Sequence, residues 1–323
     1  MAHRLLFATP TKNKLVPGRS GVDHYFLSVD VMNLAPFPTE LVAEAATGMQ
    51  EPGLALPWQE RRDCFRARLE EIPLPGIEPE ETAAHFDGMP PHYWKTLNFP
   101  DLVWSLETIN GFLKLVAAPN VPATTPFMDW RQLGKSGHTR LMLCTWDRHG
   151  LLAKASAALS AVRLNILEAD VFTRHDNVVL DVFLITDADG KGPANQKRLA
   201  EMKFLIEGAL SEPPRFASLW ACSRHKYLAA AGKFPLRISF DNNSDSSDTL
   251  VRIETSDRLG LLYDILQAMA DSGLNITEAR IETVDGLADD LFHVTDEHGQ
   301  KVGELVRLEE LRQNLEKVLS FKA

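Results

Sequence analysis

The chain lacks several features that would mark common functional classes. In 323 residues no apolar run approaches the roughly 18 residues of a membrane span. The patch Leu5, Leu6, Phe7 and Ala8 near the start is too short for a signal peptide. Three cysteines, Cys64, Cys144 and Cys222, are odd in number and far apart, and match no metal-ligand spacing. A reducing compartment, with the cytoplasm as default, is therefore expected. Basic charge is also scarce: 34 Lys and Arg stand against 44 Asp and Glu, a net charge of −10. Residues 1–137 carry −4 and residues 138–323 carry −6, so neither part hides a basic nucleic-acid-binding domain.

Enzyme signatures are likewise missing. The sequence contains no phosphate-binding glycine loop ending in Lys-Ser/Thr, no Gly-x-Ser-x-Gly elbow and no His-Glu-x-x-His zinc helix. His175-Asp176 falls in an expected hairpin turn without the further histidines a metal cage needs. No cofactor or metal is expected.

What is present divides the chain. Fifteen of the 19 prolines precede residue 138, and only Pro193, Pro213, Pro214 and Pro235 follow it. Proline stops helices and is excluded from central strands, so short interrupted elements should give way to regular ones. In the first part His24 to Met32 alternates like a strand, and Leu41 to Thr47 and Trp58 to Glu70 read as helices. Asn98, Pro100 and Asp101 then start a helix at Leu102 to Val116, with Leu102, Leu106, Ile109 and Leu113 at helical spacing. Pro119, Pro122 and Pro126 predict a stiff extended linker.

The second part contains a repeat. Asp147-Arg148-His149-Gly150-Leu151-Leu152 returns as Asp257-Arg258-Leu259-Gly260-Leu261-Leu262, an offset of 110, and 12 of the 27 positions from Asp147 to Thr173 agree. A one-residue deletion then aligns Asp181, Phe183 and Thr186-Asp187 with Asp290, Phe292 and Thr295-Asp296. Each copy reads strand, helix, strand, strand, helix. Strands are predicted at Arg140 to Trp146, Asn165 to Thr173, Val178 to Thr186 and Thr249 to Thr255, and later helices at Gln196 to Leu210 and Leu305 to Leu319. In Asn165 to Thr173 the alternation sets Leu167, Ala169 and Val171 on one face. This is the ferredoxin-like βαββαβ order, an α+β fold with helices on one face of an antiparallel sheet. Leu236 to Phe240 could finish copy one, whereas copy two ends after its helix, which suggests a shared strand and two copies docked as one unit. Near-continuous apolar character in Val178 to Ile185 predicts cover on both sheet faces, by another layer or subunit.

The Asp-Arg-x-Gly-Leu-Leu turn is the segment most open to chemistry. A glycine lets the chain turn tightly, and the free amides of the next helical turn attract a carboxylate. Asp147 or Asp257 could hold an ammonium group while the amides of Gly150, Leu151, Gly260 and Leu261 take the carboxylate of an amino acid. The alternative is that both aspartates are helix caps. Asn165 and Asn275 could reach the turns or could serve as left-handed helix C-caps. His149 faces Leu259 in the other copy, so the two sites should be inequivalent; a plain surface histidine is the simpler account. Asp181 and Asp290 interrupt apolar strands, where hydrogen bonding to a neighbouring loop is expected.

On Asp147 to Leu152, Asn165-Ile166, Asp181-Val182-Phe183, Ile238 to Asn243, Asp257 to Leu262 and Asn275-Ile276, each copy resembles an ACT domain. The pair, with the lead-in His92-Tyr93-Trp94, is similar to the C-terminal tandem of the bacterial protein-PII uridylyltransferase family over about residues 90–323. The resemblance implies a regulatory unit for a small amino acid, glutamine first, held by Asp147, Gly150, Leu151 and Asn165 and by Asp257, Gly260, Leu261 and Asn275. It further implies nitrogen metabolism, a PII-like or metabolic-enzyme partner and a possible homodimer. Residues 1–89 show neither the family's nucleotidyltransferase motif nor its hydrolase His-Asp, with Gly18-Arg19-Ser20 and Asp30 as the nearest approaches. A non-catalytic regulator is therefore expected, with a diverged uridylyltransferase-type enzyme and a ligand-free assembly module as alternatives. The expected organisation is an N-terminal segment at 1–89, a lead-in helix and linker at 90–137, and ACT domains at 138–245 and 246–323. An RNA-recognition motif shares the strand order, but Val178 to Thr186 offers only Phe183 as an aromatic, so neither nucleic acid nor membrane is an expected partner.

Overall fold

The computed structural model describes residues 56–134, 137–188, 194–211, 233–243 and 248–320, all within one compact unit, Glu40–Ala323. The expected elements at His24 to Met32 and Leu41 to Thr47 lie outside the described residues. The first described elements are helices α1 (Trp58–Glu70), α2 (Pro79–Gly88), α3 (Pro91–Thr96) and α4 (Phe99–Ala117). Asn98 caps α4 by accepting from the Asp101 amide, and Pro100 sits in its first turn, where the missing N–H costs nothing. No described helix is long and apolar enough to cross a membrane.

The repeat follows. Copy one runs β1 (Phe127–Leu133), β2 (His138–Trp146), α5 (Leu151–Ala161), β3 (Leu164–Thr173), β4 (Val178–Asp187) and α6 (Gln196–Ser211). Copy two runs β5 (Arg237–Asp241), β6 (Thr249–Ser256), α7 (Leu261–Asp271), β7 (Asn275–Val284), β8 (Leu287–Thr295) and α8 (Leu305–Leu319). All eight strands form one antiparallel sheet in the order β1-β2-β4-β3-β7-β8-β6-β5. The fold is α+β, two ferredoxin-like units joined edge to edge.

The join is short. β3 meets β7 at Glu168 and Glu282, Ala169 and Ile281, and Asp170 and Arg280. Above it α5 packs on α7, so a single apolar core spans both copies. The two copies do dock as one unit, but not through a shared strand. Leu236 to Phe240 does not finish copy one; among the described residues β5 pairs only with β6, at the far edge of copy two. The matching edge of copy one is β1, which forms directly after the prolines that predicted a linker. Each unit thus fills its fourth strand position with the strand before its repeat, not after it.

Two further corrections follow from local geometry. A bulge between Ile166 and Glu168, repeated between Ile276 and Glu278, makes Leu167 the extra residue of the pairing rather than a regular member of the buried face. The left-handed positions after α5 and α7 are Arg163 (φ 61°) and Gly273 (φ 71°), so Asn165 and Asn275 are not C-caps but open the next strands.

Among the described residues the second sheet face is covered only over copy one. Met142, Cys144, Phe172, Val178, Leu180 and Val182 point away from α5 and α6 into a core formed with Phe65, Phe86, Tyr93, Trp94 and the inner side of α4. This cover is why β4 is apolar on both faces. Over copy two the same face carries exposed Arg252 and Arg280, with Arg252 paired to Asp289 at 2.6 Å. Val251 and Ile253 alternate with Arg252 there, as a one-sided sheet requires.

Candidate functional site

The repeated turns lie between β2 and α5 and between β6 and α7. In each, the aspartate amide is held by the adjacent hairpin: Asp147 donates to Asn177 O at 2.8 Å and Asp257 to Gly286 O at 2.9 Å. The chain then reverses through Gly150 (φ 70°) and Gly260 (φ 79°), a left-handed conformation suited to glycine. These glycines occupy the N-cap positions and no side chain caps either helix, so the aspartates are not caps. The Leu151 amide donates back to Arg148 O, while the Leu152 and Ala153 amides have no acceptor among the described residues. With the amide of Gly150, which likewise has no acceptor among the described residues, three donors remain at the positive end of an eleven-residue helix.

The structure does not bring each asparagine to the turn of its own copy. Asn165 Nδ2 donates to Asp257 Oδ2 at 3.0 Å, and Asn275 Oδ1 lies 3.4 Å from His149 Nδ1. Because β3 and β7 are neighbours at the centre of the sheet, the strand that starts beside one helix faces the turn that starts the other. Each cavity is thus built from both copies.

The two cavities differ. The first, of about 120 Å³, is bounded by Asp147 to Ala153, by Val171, Thr173, Val179 and Asp181 of copy one, and by Leu266, Ala270 and Leu274 to Ile276 of copy two. The second, of about 20 Å³, includes Asn165, Asp257, Gly260, Leu261 and Asp290. The Asn165 bond to Asp257 spans the second. In the first Asn275 turns its amide to Asp296 O at 3.3 Å instead, with His149 at the mouth where the other copy has Leu259.

Asp181 and Asp290 were expected to bond to neighbouring loops. Asp181 does not: it is wholly buried, sits between Leu143 and Val171 in the sheet, lines the first cavity, and neither carboxyl oxygen has a hydrogen-bond partner. Burial, then the neighbouring Asp147 carboxylate, push its pKa up to about 8. Asp290 lines the second cavity with Oδ1 unpartnered, and burial followed by Asp257 holds it well above the usual range. The readable signal was an acid breaking an apolar strand at the same place in both copies. Arg148, the cation of the first cavity, directs its Nη atoms elsewhere, to Leu210 O, Thr124 O and Thr145 Oγ1, while its Nε has no partner.

His175-Asp176 lies in the β3–β4 turn, where Asp176 pairs with the buried Arg174 at 2.8 Å. Among the described residues no group of three His, Cys, Asp or Glu side chains is placed to hold a metal.

Comparison with known proteins agrees with this architecture. Residues 244–322 match the ACR family N-terminal ACT domain. Copy two thus matches an ACT-domain model, and copy one repeats its order of strands and helices. It resembles bifunctional uridylyltransferase/uridylyl-removing enzymes: 32% identity over 180 residues with that of Azospirillum brasilense, covering 55% of this chain and 19% of the relative. The Cereibacter sphaeroides enzyme is 30% identical over 281 residues, 87% of this chain and 29% of the relative. The Ruegeria pomeroyi enzyme is 31% identical over 270 residues, 81% and 28%. The ACT tandem and its helical layer therefore span less than a third of the length of these relatives. Among solved structures, aspartate kinase from Synechocystis aligns over 57% of this chain and 27% of its own with a TM-score of 0.32 and 15% identity.

Proposed function

We propose that the ACT tandem is a regulatory unit that binds a small amino acid in the larger of the two turn cavities. The observation that carries this reading is the convergence there of free amides at the start of α5, the Asp147 carboxylate and Asn275 from the other copy. The amides of Leu152 and Ala153 suit an α-carboxylate, and Asp147 suits an α-ammonium group. Glutamine is the first candidate, because the relatives are uridylyltransferase/uridylyl-removing enzymes and the family's tandem is a glutamine-responsive unit. The smaller cavity, spanned by Asn165 and Asp257, is assigned a structural role at the join. Regulation requires that the ligand favour one arrangement of the two copies or of the helical layer over another. The partner would be a PII-like protein or a metabolic enzyme, in nitrogen or amino-acid metabolism. Calorimetry against the twenty amino acids tests this reading, and absence of heat or thermal shift for all of them would end it.

A second reading is that the chain is part of an active uridylyltransferase-type enzyme. Similarity at 30% identity over 87% of the chain, well beyond the two repeats, favours it. Transfer of UMP to a PII protein would establish it.

A further inference from the structure

A buried carboxyl with both oxygens unpartnered is costly, since each unmet polar group forfeits hydrogen bonds it had in water. Asp181 is in this state at the wall of the larger cavity. The charged or titratable residues around that cavity are Asp147, Arg148 and His149, all on the turn. Arg148 spends its Nη donors on two carbonyls and a hydroxyl, and Asp147 is of like charge. From β3, α5, α7 and the start of β7 the cavity receives only Val171, Thr173, apolar side chains and Asn275. Arg148 Nε has no partner, yet among the described residues no donor of any cation reaches either Asp181 oxygen.

Resting on the reading of the cavity given above, we infer that Asp181 is a specificity-determining residue, which meets the ligand as a neutral acid and pairs with an uncharged primary carboxamide. A neutral carboxyl presents one O–H donor beside one C=O acceptor, and a carboxamide presents N–H beside C=O. The two close a ring of two hydrogen bonds. A carboxylate in the same place would bring a second negative charge into the cavity beside Asp147, and an ammonium would serve only the acceptor unless Asp181 gave up its proton. The upward displacement of the Asp181 pKa agrees with a neutral acid at physiological pH.

The test is calorimetric titration of the full chain with L-glutamine and L-glutamate at pH 7.5 and pH 9, for wild type, Asp181→Asn and Asp181→Leu. Wild type should prefer glutamine by about tenfold or more at pH 7.5, the worth of one to two hydrogen bonds, and its affinity for glutamine should fall several-fold at pH 9, where an ionised Asp181 has lost its O–H donor. Asp181→Asn keeps a donor and an acceptor, so it should hold glutamine and lose the pH dependence. Asp181→Leu should weaken glutamine by about tenfold with little effect on glutamate. Thermal unfolding of both variants checks the fold. If wild type binds amino acids but Asp181→Leu leaves the glutamine preference intact, this inference is wrong and the reading of the cavity survives. If wild type binds none, that reading fails and the inference falls with it.

Discussion

Asn165 at the start of β3 donates to Asp257 across 3.0 Å, from one copy of the repeat to the turn of the other. The bond lies beside a join of only three paired positions, and it satisfies a mostly buried carboxylate whose pKa burial would otherwise raise further. A double-mutant cycle of Asn165→Ala and Asp257→Ala, followed by urea unfolding, should show a coupling of about 1 to 2 kcal/mol, as for a hydrogen bond to a charged group. The cycle of Asn165→Ala with Asp147→Ala, the turn of its own copy, should be additive to within about 0.5 kcal/mol. Reversal of these two results would mean that the turns serve their own copies.

Asp181 makes stability fall as pH rises. Its pKa of about 8 in the folded chain lies above the ordinary 3.8, so the folded state holds a proton that the unfolded state has lost. The contribution is fully present below pH 4 and is lost progressively up to pH 8, at about 1.4 kcal/mol per pH unit. Asp181→Asn should reduce that slope, leaving the part due to the buried Asp290, and unfold at higher urea concentration than wild type at pH 8. An unchanged slope would show that Asp181 is solvated.

Much of this architecture could be read from the sequence because the repeat is a statement about structure. Asp147 to Leu152 and Asp257 to Leu262 had to be equivalent turns, and strands and helices around them followed from period two and period 3.6. The exchange of Asn165 and Asn275 between copies could not be read, because it depends on which strands meet at the join, and no local pattern records that. β1 was hidden by its prolines: Pro119, Pro122 and Pro126 end before Phe127, and an edge strand needs donors on one side only. The cover over copy one was legible in the double-sided burial of β4, but its source in α1 to α4 was not.

Gly150 tests the turn itself. A Cβ there would meet nothing within 4 Å, so substitution costs only backbone conformation, φ being 70°. Gly150→Ala should destabilise by about 1 to 2 kcal/mol, and Gly150→Asn by less, because asparagine tolerates the left-handed region. Equal losses in thermal unfolding would point instead to a steric or ligand-independent packing role.

His85 works against Asp181. It is fully buried, its Nε2 lies 2.8 Å from Tyr93 Oη, and burial first, then Arg174, lowers its pKa to about 3. The unfolded state takes up a proton at 6.5, so stability is complete above pH 6.5 and falls with pH toward 3. The two slopes offset one another from about pH 4 to 6.5, and above 6.5 the Asp181 slope, with that of the buried Asp290, is no longer opposed by His85. His85→Gln should therefore expose a stability that declines steadily from pH 4 to 8, measured by urea midpoints.

Arg61 ties α1 to the end of α3 within the helical layer that covers the sheet. It is buried on α1, with Nε donating to Trp94 O at 2.7 Å and Nη2 to Leu97 O at 3.0 Å, the carbonyls at the end of α3. Helix ends leave such carbonyls without partners, and a fork of two donors satisfies both. Arg61→Met keeps the length and removes the donors, which should cost about 2 to 4 kcal/mol; Arg61→Lys, with one point charge, should fall between. The layer covers Cys144, which is fully buried beneath it. Thiol labelling read by mass spectrometry should accordingly speed up at Cys144 in the order wild type, Lys, Met, while Cys64, already exposed on α1, labels quickly in all three. Labelling of Cys144 at the wild-type rate in Arg61→Met would show that the aromatic core of Phe86, Tyr93 and Trp94 holds the layer without the arginine.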